Sequence, residues 1–330
     1  MKKVLFIASL SERYYYDAFL SPCIKEGLCV YVFDPSRIPR QAAINMTLDN
    51  SGFVLGFIDV FKCVGEDLVE CRLPIQEIDI AWYLRENSND SEEDEASLAI
   101  RFAKNESRRA FLSLMYALDC KWVNRKETVA RISSNKFYQQ QIAQRCGLTT
   151  PQTLVSNDPD SVVTFSSREK GLLLKTLGYM KLDPIGNDFL YSERFSHEEL
   201  FSSPNAIRAC PVFAQEYIEK RYEYRVMIIG HQVLACRIDS QASPMTKTDW
   251  RHYDFNNVEH TRVELPLATQ EHLIRFMQEV GLNYGAIDLI ETPEGDYVFL
   301  EVNPCGQWGW IEHFADLQIP QAVANMLKIL

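Results

Sequence analysis

The feature that most constrains this chain lies near its end. There Tyr284-Gly-Ala-Ile-Asp-Leu-Ile290 and Tyr297-Val-Phe-Leu-Glu-Val-Asn-Pro304 flank Glu291-Thr-Pro-Glu-Gly-Asp296. Both flanks are short, β-branched and aromatic, and the link is rich in turn formers, so two antiparallel strands are expected. Side chains alternate faces along a strand, which puts Glu301 and Asn303 together and lets Asp288 join them from the partner strand. Three hard oxygen donors on otherwise apolar strands match what an octahedral Mg2+ between protein and nucleotide phosphates requires. The competing expectation is a half-exposed hairpin whose outer face is simply polar.

The rest of the chain is large enough to give such a hairpin a setting. With 330 residues, 46% of them hydrophobic, it can bury a sizeable core and build two or three lobes around a cleft. Net charge is −11, from 34 basic and 45 acidic residues, which disfavours a general nucleic-acid binder but leaves room for a local basic cleft. No apolar run approaches a membrane span, and Met-Lys-Lys-Val-Leu-Phe-Ile reads as a first strand rather than a secretory signal. The nine cysteines are scattered, odd in number and without metal-ligand spacing, as expected of free thiols in a reducing cytoplasm.

Lys3 to Ala8 and Cys29 to Phe33 are expected to be strands around a helix near Tyr14 to Glu26, a βαβ opening, followed by a buried strand at Ile78 to Leu84. No Gly-x-Gly-x-x-Gly follows the first strand, so a dinucleotide fingerprint is absent. The acidic run Asn87 to Glu95 is expected to be a solvated loop. A long helix from about Glu95 to Leu118 follows, with Phe102, Phe111, Leu114 and Leu118 available to one face. Residues 127–133 read as a connector. Ser134 to Gly147 has helix caps at both ends. Lys136 in its first turn opposes the helix dipole, an objection that a bound phosphate would remove. Lys175 interrupts the apolar strand Gly171 to Thr176, where a lysine either snorkels outward or meets a phosphate.

Farther on, Val212 to Ile218 is expected to be a strand. Glu216 near its end could accept from an adenine amino group while the backbone around Tyr217 and Ile218 reads the ring edge. Glu223 and Arg225 are two apart and would face the same way, one toward ribose hydroxyls and one toward phosphate or carboxylate; a surface charge pair is the plain alternative. Arg251 follows a polar stretch and is placed on a loop near the cleft. This stretch, Asp239 to Arg251, and another at Tyr179 to Tyr191 are expected to close over substrate.

In this order, the lysines at 136 and 175, Gln215-Glu-Tyr-Ile218, Glu223-Tyr-Arg225, Asp288 and Glu301-Val-Asn303 resemble an ATP-grasp ligase. Trp82-Tyr-Leu-Arg85, Glu106-Ser-Arg108, Leu118-Asp-Cys-Lys-Trp-Val-Asn124, Pro151 to Pro159, Lys247-Thr-Asp-Trp-Arg251 and Asn303 to Glu312 are similar to the microviridin-type (graspetide) peptide maturases. The likeness is weaker over the first seventy-odd residues. The resemblance implies an α/β ATP-grasp fold with α+β lobes: an N-terminal pre-ATP-grasp domain at 1–126, a central lobe at 127–212 and a C-terminal lobe carrying the metal hairpin at 213–330. The nucleotide would sit between the two later lobes.

It also implies a cytoplasmic ligase using ATP and one or two Mg2+, with Mn2+ as a substitute. Its partner would be a ribosomal precursor peptide, its assembly a homodimer, and it would touch neither nucleic acid nor membrane. In such an enzyme a side-chain carboxylate is activated as an acyl phosphate and joined to a Thr or Ser hydroxyl or a Lys amine. Lys136, Lys175, Glu216, Tyr217, Ile218 and Glu223 would hold the nucleotide, and Asp288, Glu301 and Asn303 the metal. Arg225 and Arg251 would orient the acceptor carboxylate or steady the migrating phosphoryl group. Cys305 and Gly309 stand where the family more often has Asn and a larger residue, and Glu86 follows Arg85 where a second arginine and a proline are usual, so ester and amide formation both stay open. A small-molecule amino-acid or glutathione-like ligase would use the same ATP residues. An ATP-grasp kinase and a non-catalytic nucleotide-binding protein are the more distant alternatives.

Overall fold

The computed structural model describes residues 1–85, 97–167, 171–177, 192–252 and 254–330. The expected acidic loop at 87–95 and the proposed closing segment at 179–191 lie outside them. The chain divides into two compact units, Met1–Lys126 with Gln318–Leu330, and Glu127–Leu317.

The first unit is built on β1 (Lys3–Ala8), α1 (Asp17–Lys25), β2 (Cys29–Phe33), β3 (Ile44–Leu48), β4 (Val54–Val64), β5 (Asp67–Pro74), β6 (Ile80–Arg85), α2 (Leu98–Ala117) and β7 (Lys121–Trp122). The sheet runs β3-β4-β2-β1-β6-β7, with β5 paired to β4. β1 pairs in parallel with β2 and β6. Its Val4 to Ile7 are wholly buried, as a central parallel strand covered on both faces requires. The last helix, Ile319–Ile329, packs against α1 in this unit. The expected lobe at 213–330 is therefore too long. Ile319, Val323 and Leu327 form a fully buried stripe at helical spacing, and the N-terminal unit receives it. The apolar face of α2 also needs correction: Phe111, Leu114 and Leu118 are buried, whereas Phe102 is 66% exposed.

The second unit begins with α3 (Lys126–Ser133), where a connector was expected; Val129 and Ile132 at i, i+3 bury one side of it. Then come α4 (Lys136–Arg145), β8 (Thr153–Ser156), α5 (Pro159–Ser166), β9 (Leu172–Lys175), β10 (Glu193–Phe195), α6 (His197–Phe201), α7 (Pro204–Ala209) and β11 (Val212–Glu216). The Asn135 side chain caps α4 by accepting from the Tyr138 amide, an arrangement worth about 1 kcal/mol. These strands form a sheet in the order β10-β9-β11-β8. The expected boundary at 212/213 would cut β11, which pairs wholly within this sheet. The change of lobe falls after Glu216.

β12 (Tyr222–Ile229), β13 (Gln232–Ile238), β14 (His260–Val263), α8 (Leu267–Val280), β15 (Tyr284–Glu291), β16 (Tyr297–Asn303) and α9 (Gly309–Ala315) complete the unit. Their sheet is antiparallel, ordered β14-β13-β12-β15-β16. One face supplies Tyr224, Val226, Ile228, Ile287, Leu289, Phe299 and Val302 to a core shared with Ile132, Ile142, Leu273 and Phe276 of the helices. Period-2 alternation then puts Glu223, Arg225 and Asp288 on the opposite face. No helix among the described residues is long and apolar enough to cross a membrane.

Candidate active site

A cleft with about 700 Å3 of open space lies inside the second unit, bounded by residues of both its sheets. Leu173 and Ile218 from one side and Ile290 and Leu300 from the other give it apolar walls. Lys136, Lys175, Glu216, Tyr217, Glu223, Arg251, Asp288 and Glu301 also line it, so most of the expected site residues come together.

The metal-type donors converge because of a local irregularity. Asp288 pairs directly with Glu301, and Ala286 with Asn303, but the register shifts so that Leu289 faces Phe299. Leu300 is the extra residue, a β-bulge. Strict alternation from buried Phe299 would turn Glu301 into the core; the bulge lets Phe299 face the helices while Glu301 reaches the cleft. The Asn303 amide nitrogen lies 3.4 Å from Asp288 and 3.5 Å from Glu301.

The electrostatics of these acids differ. Burial pushes the Asp288 carboxyl up, and the neighbouring Arg225 guanidinium offsets this only in part. Burial also raises Glu301, but the charges of Lys136, Lys175 and Arg251 outweigh it and hold the group down at about 2. Lys136 Nζ is 3.3 Å from Glu301 Oε2. Burial lowers Lys175 to about 8, with Glu301 opposing. Among the described residues Lys175 has no ion pair within 4 Å, and Glu301 is the carboxylate whose charge acts on it most. A set of hard oxygen donors with lysines already disposed around them fits Mg2+ and phosphate together.

Three of the expected site residues also have partners within the protein. Arg225 is 5% exposed and is not in the cleft lining. Its Nη1 donates to both Asp288 oxygens at 2.9 and 3.1 Å, and its Nη2 to the Gln307 carbonyl at 3.1 Å. It therefore holds Asp288 rather than facing an acceptor. Gly306 makes this approach feasible, since a Cβ there would fall 2.7 Å from Arg225 Nη2. Glu223 is sealed against Lys220 Nζ at 2.7 Å. Glu216 Oε1 accepts from the Gln152 amide at 2.8 Å, so part of that carboxylate joins β11 to the start of β8.

Lys220 and Asp249 were not singled out from sequence. Lys220 also donates to the Thr248 carbonyl at 3.0 Å, tying the 239–252 stretch to β12. Asp249 is 5% exposed and accepts from Arg251 Nε at 2.8 Å, with a second, shorter contact from Nη2. Burial would raise Asp249, but Arg251 overrides it and holds the group at about 2. The spacings Lys-x-x-Glu and Asp-x-Arg were the only sequence signals for these pairs. Either is ordinary on a surface.

No protein-family model and no curated protein matches the chain. Solved structures do. A Chryseobacterium gregarium RiPP-associated ATP-grasp ligase, in complex with ADP and a leader and core peptide, superposes with TM-score 0.85 at 24% identity, covering 99% of this chain and 96% of that one. The macrocyclase MdnC from Microcystis aeruginosa, bound to the precursor peptide MdnA, gives 0.80 at 26% identity, covering 99% and 100%. The ATP-grasp ligase PsnB, with a phosphomimetic variant of a minimal precursor, Mg and ADP, gives 0.73 at 19% identity, covering 99% and 98%. All three likenesses carry the fold. The chain has the ATP-grasp ligase fold and resembles the microviridin-type peptide maturases.

Proposed function

We propose that the protein uses ATP to activate a side-chain carboxylate of a ribosomal precursor peptide and closes it onto a Thr or Ser hydroxyl or a Lys amine. The carrying observation is the convergence of Asp288, Glu301, Lys136, Lys175 and Arg251 on one cleft. Full-length likeness to a macrocyclase bound to its precursor supports the peptide as substrate.

A carboxylate resists nucleophiles because it is charged and would have to expel oxide. Attack of its oxygen on the γ-phosphorus releases ADP and leaves an acyl phosphate; attack of the hydroxyl or amine on the acyl carbon then expels phosphate. Each ring closed costs the peptide one water. The protein's part is alignment and charge compensation rather than covalent chemistry. Lys136 and Lys175 hold the phosphates, the Glu216–Ile218 segment and the apolar walls hold the base, and Arg251 meets the acceptor carboxylate. Arg225 acts at one remove by fixing Asp288. Asp288, Glu301 and Asn303 would hold one or two Mg2+, or Mn2+ in its place, which neutralise phosphate oxygens when bound.

Mass spectrometry of a candidate precursor encoded beside the gene, after incubation with enzyme, ATP and Mg2+, tests the proposal. Loss of one water per ring is expected, and alkaline hydrolysis separates esters from amides. ATP turnover that leaves every such peptide unchanged while joining free amino acids would overturn the peptide assignment.

A further inference from the structure

α4 contains three consecutive glutamines that hydropathy alone would place on the surface, yet two of them are buried, Gln139 at 1% exposed and Gln140 at 4%. Polar groups this deeply buried need partners, and all but one of theirs are on one strand. Gln139 Oε1 accepts from the Val302 amide at 2.8 Å, while its Nε2 donates to the Val302 carbonyl at 3.1 Å and the Ile132 carbonyl at 2.9 Å. Gln140 Nε2 donates to the Leu300 carbonyl at 2.6 Å.

β16 is the last strand of its sheet; its outer row meets Thr149 in an isolated bridge at Val298, with the Phe299 amide donating to the Thr149 carbonyl at 2.8 Å, and beyond it Leu300 and Val302 have no neighbouring strand to pair with. The Gln139 amide carries a donor and an acceptor side by side, as a peptide unit does, and it meets both backbone groups of Val302. This is the residue between Glu301 and Asn303. Lys136, Gln139 and Gln140 stand at i, i+3 and i+4, the spacing that shares one helix face. All three reach β16: Lys136 at Glu301, Gln139 at Val302 and Gln140 at Leu300.

We infer that Gln139 is the positioning residue that sets Lys136 against the Glu301–Asn303 strand, by standing in for the neighbouring strand that β16 lacks. The helix that brings a phosphate lysine and the strand that brings the metal donors are thereby locked in one register. Gln140 has the lesser part, since its Oε1 has no hydrogen-bond partner among the described residues. The inference rests on the ATP-grasp assignment and adds how its two charged elements are kept in register.

The test is a double-substitution cycle read by ADP binding, with Mg2+ titrated and nucleotide followed by fluorescence displacement. Gln139→Met keeps the side-chain length and removes the amide. It should raise the Mg2+ midpoint about tenfold, and hydrogen exchange at the Val302 amide should rise by at least as much. In a Lys136→Met background the same change should add less than twofold, because the contact that Gln139 positions is already gone. A purely structural role would give additive effects, and that result would overturn the inference. Gln139→Asn, which keeps the amide on a shorter stem, should fall between wild type and Gln139→Met, and serves in the cycle if the Met variant does not fold. Wild-type protein that fails to bind Mg-ADP would overturn the ATP-grasp site and this inference together. Normal wild-type binding with an unshifted Gln139→Met midpoint would sink the inference alone.

Discussion

Two lysine–carboxylate pairs border the same cleft and do different work. Lys220 and Glu223 are 2.7 Å apart with side chains 4% and 5% exposed; Lys136 and Glu301 are 3.3 Å apart at 20% and 21%. The first pair is sealed, and Lys220 spends a further hydrogen bond on Thr248. The second is open to water and crowded by Lys175 and Arg251, which help to hold Glu301 ionised. A closed pair holds backbone segments in place, whereas an open pair can exchange its internal partner for phosphate and metal. Net charge does not separate the two, but accessibility does.

The largest effect that could break this contrast is at the metal face. Glu301→Ala should lower Mg-ATP-dependent ligation by about 10^3-fold or more while the protein stays folded, checked by ADP release and circular dichroism. Asp288→Ala should lose ligation equally but also cost about 3 kcal/mol in denaturant unfolding, because Arg225 is stranded in the interior without its partner. From sequence, removing one carboxylate from a crowded acidic face is expected to relieve repulsion; the buried guanidinium reverses that expectation for Asp288. Adding Arg225→Met to Asp288→Ala should restore stability without restoring ligation.

Next comes the sealed pair. Lys220→Met should destabilise the protein by about 3 kcal/mol, by breaking a buried ion pair, and leave ligation by the folded fraction within about threefold. A near-normal unfolding midpoint with a hundredfold loss of ligation would invert the assigned roles.

Titration of Lys175 gives a smaller, graded effect. Its folded value is lowered from the ordinary lysine range to about 8, so the folded state sheds this proton at lower pH than the unfolded chain does. Its contribution is destabilising at neutral pH and is relieved as pH rises through about 8, where the unfolded state binds more protons. Phosphate affinity moves the other way. ADP binding should weaken between pH 7 and 9 with a midpoint near 8, and Lys175→Gln should flatten that profile. The smallest effect is expected at Cys305, where Ser should leave ligation within about twofold, since no step needs a protein nucleophile.

Much of this arrangement is legible before folding. The hairpin at 284–304, the cap of α4 and the order of charged residues are local or sequential properties, and local backbone preference determines them. What is harder to read depends on side-chain partners that the local pattern does not name, near in sequence or far. Glu223 and Arg225 look alike as charged residues two apart on one strand, but Lys220 closes over the first and Asp288 claims the second. Residues 318–330 follow the C-terminal lobe in sequence, yet their apolar stripe is buried in the N-terminal unit.

Alternation along the strands, a local property, makes Asp288, Glu301 and Asn303 candidates to meet, because the pleat fixes side-chain direction residue by residue. How they meet depends on contacts between segments distant in sequence. The bulge at Leu300 depends on register with β15, and the clamp of Gln139 on Val302 depends on a helix more than 160 positions earlier. Pairing register and edge satisfaction are properties of two segments in contact, and neither segment carries them alone.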